Sequence, residues 1–311
     1  MAKKRSRVLD YAIYLLVRIL VCFVQALSWR WALDLARVLA WLAYRLDRRH
    51  RLVALDNLRH AFGHLDDAAL DRLARASYLH LTTMVVEMIR MPRVLSASNI
   101  GDYVAHDDST DLERIRRLLA TGRPVLLLTA HFGNWEILGQ AAGLAGFRGA
   151  IVARRLDNPY LDRFLLHFRR KNGLTILDKT TDYPRILDLL SRGTSLGIVG
   201  DQDAGARGLF VNFFGRQAST FKSIALLALE YGAPILVEGA ARIGQPMRYR
   251  LYLEDVIMPE DYANRADAPR AITQRYTDAL ERMVRRHPEQ YFWLHRRWKH
   301  QPQEKKRKKA A

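Results

Sequence analysis

The spacing of apolar residues along the chain changes twice, and each change predicts a different kind of element. From Val8 to Leu27 the run VLDYAIYLLVRILVCFVQAL is apolar except for Asp10, Arg18 and Gln25. As a helix it would be about 30 Å long, the thickness of a bilayer's hydrocarbon core. Lys3, Lys4, Arg5 and Arg7 precede it and no A-x-A-like cleavage site follows, so a spanning or deeply embedded helix is expected in place of a cleaved leader. Arg18, in mid-run, needs a partner or a route to the interface. A buried helix of a water-soluble core is the alternative.

A second pattern, Trp29 to about Arg48, sets Trp31, Leu35, Val38, Leu42 and Leu46 on one stripe with Arg30, Arg37, Arg45 and Arg48 around it. It fits a helix lying on an anionic interface and an amphipathic core helix equally well. A third helix is expected over Asp66 to Met91, with Leu70, Leu73, Ser77, Leu81, Met84 and Met88 near 3.6 spacing and Pro92 as its stop.

Beyond residue 111 short apolar runs alternate with longer helical ones. Strands are predicted at 124–130, 149–154, 174–178, 195–200, 233–242 and 248–256. Helices are predicted at roughly 134–146, 158–171, 181–192, 219–231 and 268–287. This alternation predicts an α/β fold: a mixed, mostly parallel central sheet flanked by helices, with the last two strands as a hairpin on one side. The expected organisation is an N-terminal basic segment and anchor over 1–28, a single domain over 29–300 and a basic tail over 301–311. Within that domain, 29–92 is helical and membrane-facing and 111–300 is the α/β core.

Charge narrows the class of partner. Lys and Arg total 50 against 32 Asp and Glu, and the body stays basic after the two basic ends are set aside. Such a surface favours nucleic acid, anionic lipid or an acidic carrier protein. The single cysteine, Cys22, excludes an internal disulfide and a cluster of thiolate ligands.

In an open α/β sheet, ligands gather beyond the carboxyl ends of the strands. Three predicted strands end there in polar groups: His131, Arg154, and the Asp201-Gln202-Asp203 run. If a helix starts near Asn134, with Gly133 allowing the bend, the Glu136 carboxylate can turn back to His131 Nδ1 and leave Nε2 as a base. A structural histidine is the commoner outcome at such a position. No G-x-S-x-G elbow is present, which points to direct transfer to a bound alcohol without an acyl-enzyme. Asp201 and Asp203 could hold a divalent ion or simply shape a turn, and the turn is preferred. Phe210, Phe213, Phe214 and Phe221 fit an acyl groove or a core. The run QYFWLHRRWKH mixes aromatics and cations, but no RNA-module signature accompanies it, so no nucleic-acid partner is expected.

The block HFGNWE matches the H-x4-[DE] motif of the glycerolipid acyltransferases. It resembles in particular the lipid A late acyltransferase family, the lauroyl and myristoyl transferases of Gram-negative inner membranes. ARRLDNPYLDRF, RRKNGLTILDK, VGDQDAG, VNFFGRQAST and PEQYFWLHRRWK resemble further blocks of that family in the same order. The resemblance implies His131 as general base with Glu136 as its carboxylate, and Asn134, Arg154 and Asp201 as substrate-binding residues. It implies an acyl carrier protein (or acyl-CoA) donor, a phosphorylated glycolipid acceptor, and no metal or other cofactor. The place implied is the bacterial inner membrane, with the catalytic domain on the cytoplasmic side. Transfer from acyl-CoA to a phosphatidylinositol mannoside, and hydrolysis of an acyl thioester, are the alternatives. Arg155 stands where better-known members carry proline.

Overall fold

The computed structural model describes residues 6–302 apart from 109–110, 145–146, 148 and 171–172, so the basic residues Lys3 to Arg5 and most of the basic tail lie outside the described residues. The chain opens with four helices, α1 (Arg7–Ala26), α2 (Trp29–Leu46), α3 (Arg48–Ala61) and α4 (Asp67–Val94). Ser6, Ser28, Asp47 and Asp66 cap them, each side chain accepting from a backbone N–H of the first turn. A short α5 (Ile100–Tyr103), β1 (Val104–His106) and α6 (Leu112–Ala120) lead into the alternating part. There β2 (Leu126–Thr129), α7 (Trp135–Leu144), β3 (Ala150–Val152), α8 (Pro159–Arg170), β4 (Thr175–Leu177), α9 (Tyr183–Ser191) and β5 (Leu196–Val199) follow in turn. The hairpin β6 (Leu209–Phe213) and β7 (Arg216–Thr220) comes next, then α10 (Lys222–Glu230), β8 (Ile235–Arg242), β9 (Tyr249–Ile257) and α11 (Ala268–Arg286).

The sheet order is β1-β9-β8-β2-β5-β3-β4, parallel throughout except where β8 meets β9. The predicted mixed, mostly parallel sheet and its terminal hairpin are therefore present. Leu126, Leu128, Leu196 and Ile235 are fully buried, as strands covered on both faces require. Ile186, Ile224, Ile272 and Tyr276 close one face, from α9, α10 and α11. On the other, Ile137, Leu138 and Ala141 of α7 pack with Met91 of α4 and Ala240 of β8.

One helical expectation changes and one open alternative is decided. Pro92 does not stop α4, which continues to Val94. A proline removes one N–H, and in the last turn that loss is tolerated because Leu95 N still donates to Met91 O at 2.9 Å. The α2 stripe faces outward: Trp31, Val38 and Leu46 are exposed, while Ala32, Ala36, Ala40 and Tyr44 bury the opposite side. α2 therefore packs through its small residues and leaves its large apolar ones free.

Among the described residues, α1 is the one helix long and apolar enough to cross a membrane, and little of it is covered by the protein. That exposure removes the buried-core alternative.

The tie between the helical part and the sheet is polar. Glu87 of α4 is fully buried and accepts a bidentate pair from Arg242 at 2.8 and 2.6 Å, a backbone N–H from Met247 at 2.8 Å, and the Tyr249 hydroxyl. Removing one side of a buried pair leaves the other charge uncompensated, at a cost of about 3–5 kcal/mol. Glu87→Ala is accordingly expected to lower unfolding stability by about that amount. A denaturant midpoint unchanged from the parent would show that this tie is not structural.

Candidate functional site

β2 and β5 are adjacent and parallel, with Thr129 opposite Val199. His131 and Asp201 each lie two residues beyond that matched pair, and Gly200 N donating to Thr129 O at 2.9 Å carries the register past the strand ends. Neighbouring strands are about 4.8 Å apart, so the two side chains meet. His131 Nδ1 lies 2.7 Å from Asp201 Oδ1.

This corrects the expected pairing with Glu136. Glu136 sits in the first turn of α7, and both its oxygens are taken by the Arg169 guanidinium from α8. The partner of Nδ1 comes from the neighbouring strand, 70 residues away. Asp201 is correspondingly buried and does not face the cavity, so a direct contact with substrate is corrected to a contact with His131.

Burial alone would push the His131 imidazole down, but the charge and hydrogen bond of Asp201, helped by the more distant Glu136, hold it above its ordinary value. Burial likewise opposes ionisation of Asp201, and His131 with the charge of Arg297 overcomes it and keeps the carboxyl low. The imidazole ring meets Trp135 edge-on, 5.0 Å between centroids, and the tilted ring of Phe292 at 5.9 Å. With Nδ1 engaged, Nε2 is the free nitrogen, and Gln202 Nε2 lies 3.5 Å from it.

Nε2 faces a cavity of about 500 Å³, within the usual ~300–1,000 Å³ of small-molecule sites. Its polar lining includes Glu136, Arg154, Arg169, Lys179 and Gln202, and its apolar lining is mostly aliphatic, with Ile151, Leu174, Ile186, Leu196, Ile198 and Leu227 beside Trp135 and Phe221. A recess of about 160 Å³ adjoins the cavity, sharing Arg154 and Arg169 and adding Arg155, Arg170 and Arg185 against Asp162, Asp178 and Asp182, with Arg155 paired to Asp162 at 3.0 Å.

The other expected residues divide. Arg154 reaches the rim, largely exposed and 3.4 Å from Asp157. Asn134 is fully buried and absent from the cavity wall. Its Nδ2 donates to Tyr249 Oη at 2.8 Å and its Oδ1 accepts from Ile137 N at 3.2 Å, so it fastens the start of α7 and the substrate contact is corrected to a structural one. Asp203 pairs with His300 at 2.6 Å while Asp201 pairs with His131, so the two carboxylates serve different imidazoles. Phe213 and Phe214 belong to the core and Phe221 to the cavity wall. In the run QYFWLHRRWKH, Tyr291, Trp293, Arg297 and Trp298 are buried, so its aromatic–basic pattern packs inward.

The turn that delivers His131 rests on residues without a sequence motif. Gly133 has φ +54°, and a Cβ there would sit 1.8 Å from Ala240 O. Its carbonyl accepts from His80 Nε2 at 2.9 Å, because Arg242 Nη1 donates to Nδ1 at 2.9 Å and leaves the proton on Nε2. Burial and the Arg242 charge push His80 down to about 3, so it stays neutral. The one legible signal for His80 and Glu87 is negative: two polar residues on the buried side of a long amphipathic helix.

A base must be neutral to act, so activity is expected to rise as pH passes up through the His131 pKa. Asp201→Asn removes the main force holding that pKa up. The acidic limb of kcat/KM should move to lower pH, and further than in Glu136→Gln. An unmoved limb in Asp201→Asn would sink the pairing.

A sequence profile described as "Bacterial lipid A biosynthesis acyltransferase" matches residues 1–300. The chain is 28% identical to a lipid A biosynthesis lauroyltransferase of Escherichia coli (strain K12), over 62% of this chain and 61% of that protein. It is 26% identical to a lipid A biosynthesis palmitoleoyltransferase of the same organism, over 63% and 62%. It is also 25% identical to a phosphatidylinositol mannoside acyltransferase of Mycolicibacterium smegmatis (strain ATCC 700084 / mc(2)155), over 73% of each. The chain thus spans less than two thirds of the length of the two Escherichia coli relatives. With the profile covering nearly all of it, the chain belongs to the bacterial lipid A biosynthesis acyltransferase family.

Proposed function

We propose that the protein is an O-acyltransferase that moves a fatty acyl group from a thioester to a hydroxyl of a phosphorylated glycolipid. The observation that carries this reading is His131, held at Nδ1 by Asp201, lining a cavity whose apolar side chains are mostly aliphatic. The acyl chain occupies the cavity, with its thioester carbonyl near Nε2. Acyl carrier protein is the favoured donor, since the basic groups of the lining suit an acidic carrier, and acyl-CoA is the other candidate. The acceptor is a lipid A precursor whose phosphate lies against the recess beside Arg154. The setting is the cytoplasmic side of the bacterial inner membrane.

In the transfer, Nε2 takes the proton of the acceptor hydroxyl as its oxygen attacks the thioester carbon. The imidazolium that forms is stabilised by Asp201. The Gln202 side-chain amide, beside Nε2, is placed to donate to the carbonyl oxygen as it gains charge. Collapse breaks the C–S bond, and the departing thiolate takes the proton from Nε2, leaving ester, thiol and a neutral His131. Glu136 keeps Arg169 at the rim, where one guanidinium borders both the acyl cavity and the recess.

A base of this kind contributes roughly 10²–10⁴-fold. His131→Ala is expected to lose transfer by about that factor, and because it leaves the buried Asp201 carboxylate without its partner its folded state is checked in parallel by circular dichroism. The assay supplies acyl carrier protein thioester with a lipid A precursor, and in parallel acyl-CoA with a mannosylated phosphoinositide. Thioester hydrolysis undiminished by either acceptor, with no acylated lipid formed, would overturn the transferase reading.

A further inference from the structure

We infer that α1 lies in the plane of the membrane interface beside α2, with both its ends on one side, and that the two helices form a single face for an anionic lipid bilayer. The packing of α1 is the first ground. Asp10, Tyr14, Val17, Val21 and Val24 make one stripe along the helix that is buried or half-buried against the protein. At its N-terminal half α1 rests on α8: Asn158 Nδ2, from the residue that also caps α8, donates to Asp10 O at 2.8 Å. Tyr11 meets Tyr160 at 5.2 Å between rings, and Arg18 lies 3.0 Å from Tyr14 Oη and 5.1 Å from the Phe164 centroid. Arg18 therefore has protein partners.

At its C-terminal half α1 rests on α4. Gln25 Nε2 donates to Ile89 O at 2.8 Å, and Arg90 Nη1 donates to Val24 O at 3.1 Å and Leu27 O at 2.6 Å. Arg93 Nη1 donates to Gln25 O at 3.2 Å. These contacts run from residue 10 to residue 27, about 25 Å of rise. A helix fastened along that whole length cannot cross the hydrocarbon by itself. It would take Arg90 and Arg93 of α4 and the exposed Arg163 beside Tyr160 into the bilayer with it, which is costly for charged groups.

Charge gives the second ground. Lys3, Lys4 and Arg5 precede α1 and Arg7 opens it, and Arg30, Arg37 and Arg45 follow it. Basic flanks are retained on the cytoplasmic face, and a single crossing would have to export one of the two. A helix in the plane satisfies both.

The free surfaces give the third. Leu16, Ile19 and Phe23 of α1 are 57%, 65% and 52% exposed, and Trp31, Trp41 and Leu46 of α2 are 67%, 54% and 77% exposed. Large apolar residues with tryptophans among them and arginines alongside are the composition of an interfacial helix pair. Anionic headgroups are the complement of those arginines.

The test uses the full chain with one protease-cleavable tag before Met1 and another after Ala311, in inside-out inner-membrane vesicles and in right-side-out spheroplasts. Both tags should be lost from the vesicles and kept in the spheroplasts. Tags on opposite faces would overturn the inference. The second measurement floats purified protein with preformed phosphatidylglycerol–phosphatidylethanolamine vesicles. Trp31→Glu combined with Trp41→Glu should bind at least tenfold more weakly than the parent, and equal flotation of the two would overturn the proposal. Neither readout depends on acyl transfer, so the outcome is separable from the function proposed above.

Discussion

Between Phe132 and Asn134 the chain runs against β8 so closely that only a glycine fits, with Ala240 O where a side chain would begin. Everything that aims His131 is organised around this contact. Asn134 N donates to Ala240 O at 2.9 Å, Gly133 N to Gln290 O at 2.8 Å, and Phe292 N to His131 O at 3.0 Å. His80 takes the Gly133 carbonyl from the α4 side. The turn's backbone groups are thus shared among β8, the segment after α11 and the long N-terminal helix. The helical part and the α/β part are consequently one structure, because the turn at His131 needs donors and acceptors from both.

The same contact explains why the histidine partner is Asp201. With the turn pinned against β8, His131 is still strand-like in position and its side chain is presented across to the next strand. By the time α7 has started, Glu136 has rotated toward α8, where Arg169 waits in a mostly buried position. Both carboxylates influence the imidazole, one by contact and one by its field across the cavity.

Much of the architecture was legible because each buried strand is a compact apolar run and each covering helix a longer periodic one. What was not legible depends on facts that no local window contains. The equal two-residue overshoot of His131 and Asp201 is visible in LLLTAH and LGIVGD, but its meaning requires knowing that β5 lies beside β2. The β6–β7 hairpin was missed for a chemical reason: its turn is Phe214-Gly215, with φ +53° and +75°, and a phenylalanine is an unusual first residue for such a turn. Helix α3, RRHRLVALDNLRHA, carries too many charges to show a clear stripe, although Ala54, Leu58 and Ala61 are buried. Asn134 lies within a motif, which drew a substrate role onto a residue whose work is to start a helix.

Burial pushes every shifted imidazole down, yet one of them ends above its ordinary value, and the contrast isolates it. His60, His80, His106, His287 and His295 are all pushed down, burial being the first cause in each. His131 alone among the shifted imidazoles of the described residues is moved up, because it alone has a buried carboxylate in contact. On acidification the His131 ring therefore takes up a proton before the imidazoles that burial pushes down. The ring that gains the charge is thus held by a neighbour that does not: His80, which donates to the Gly133 carbonyl, stays neutral.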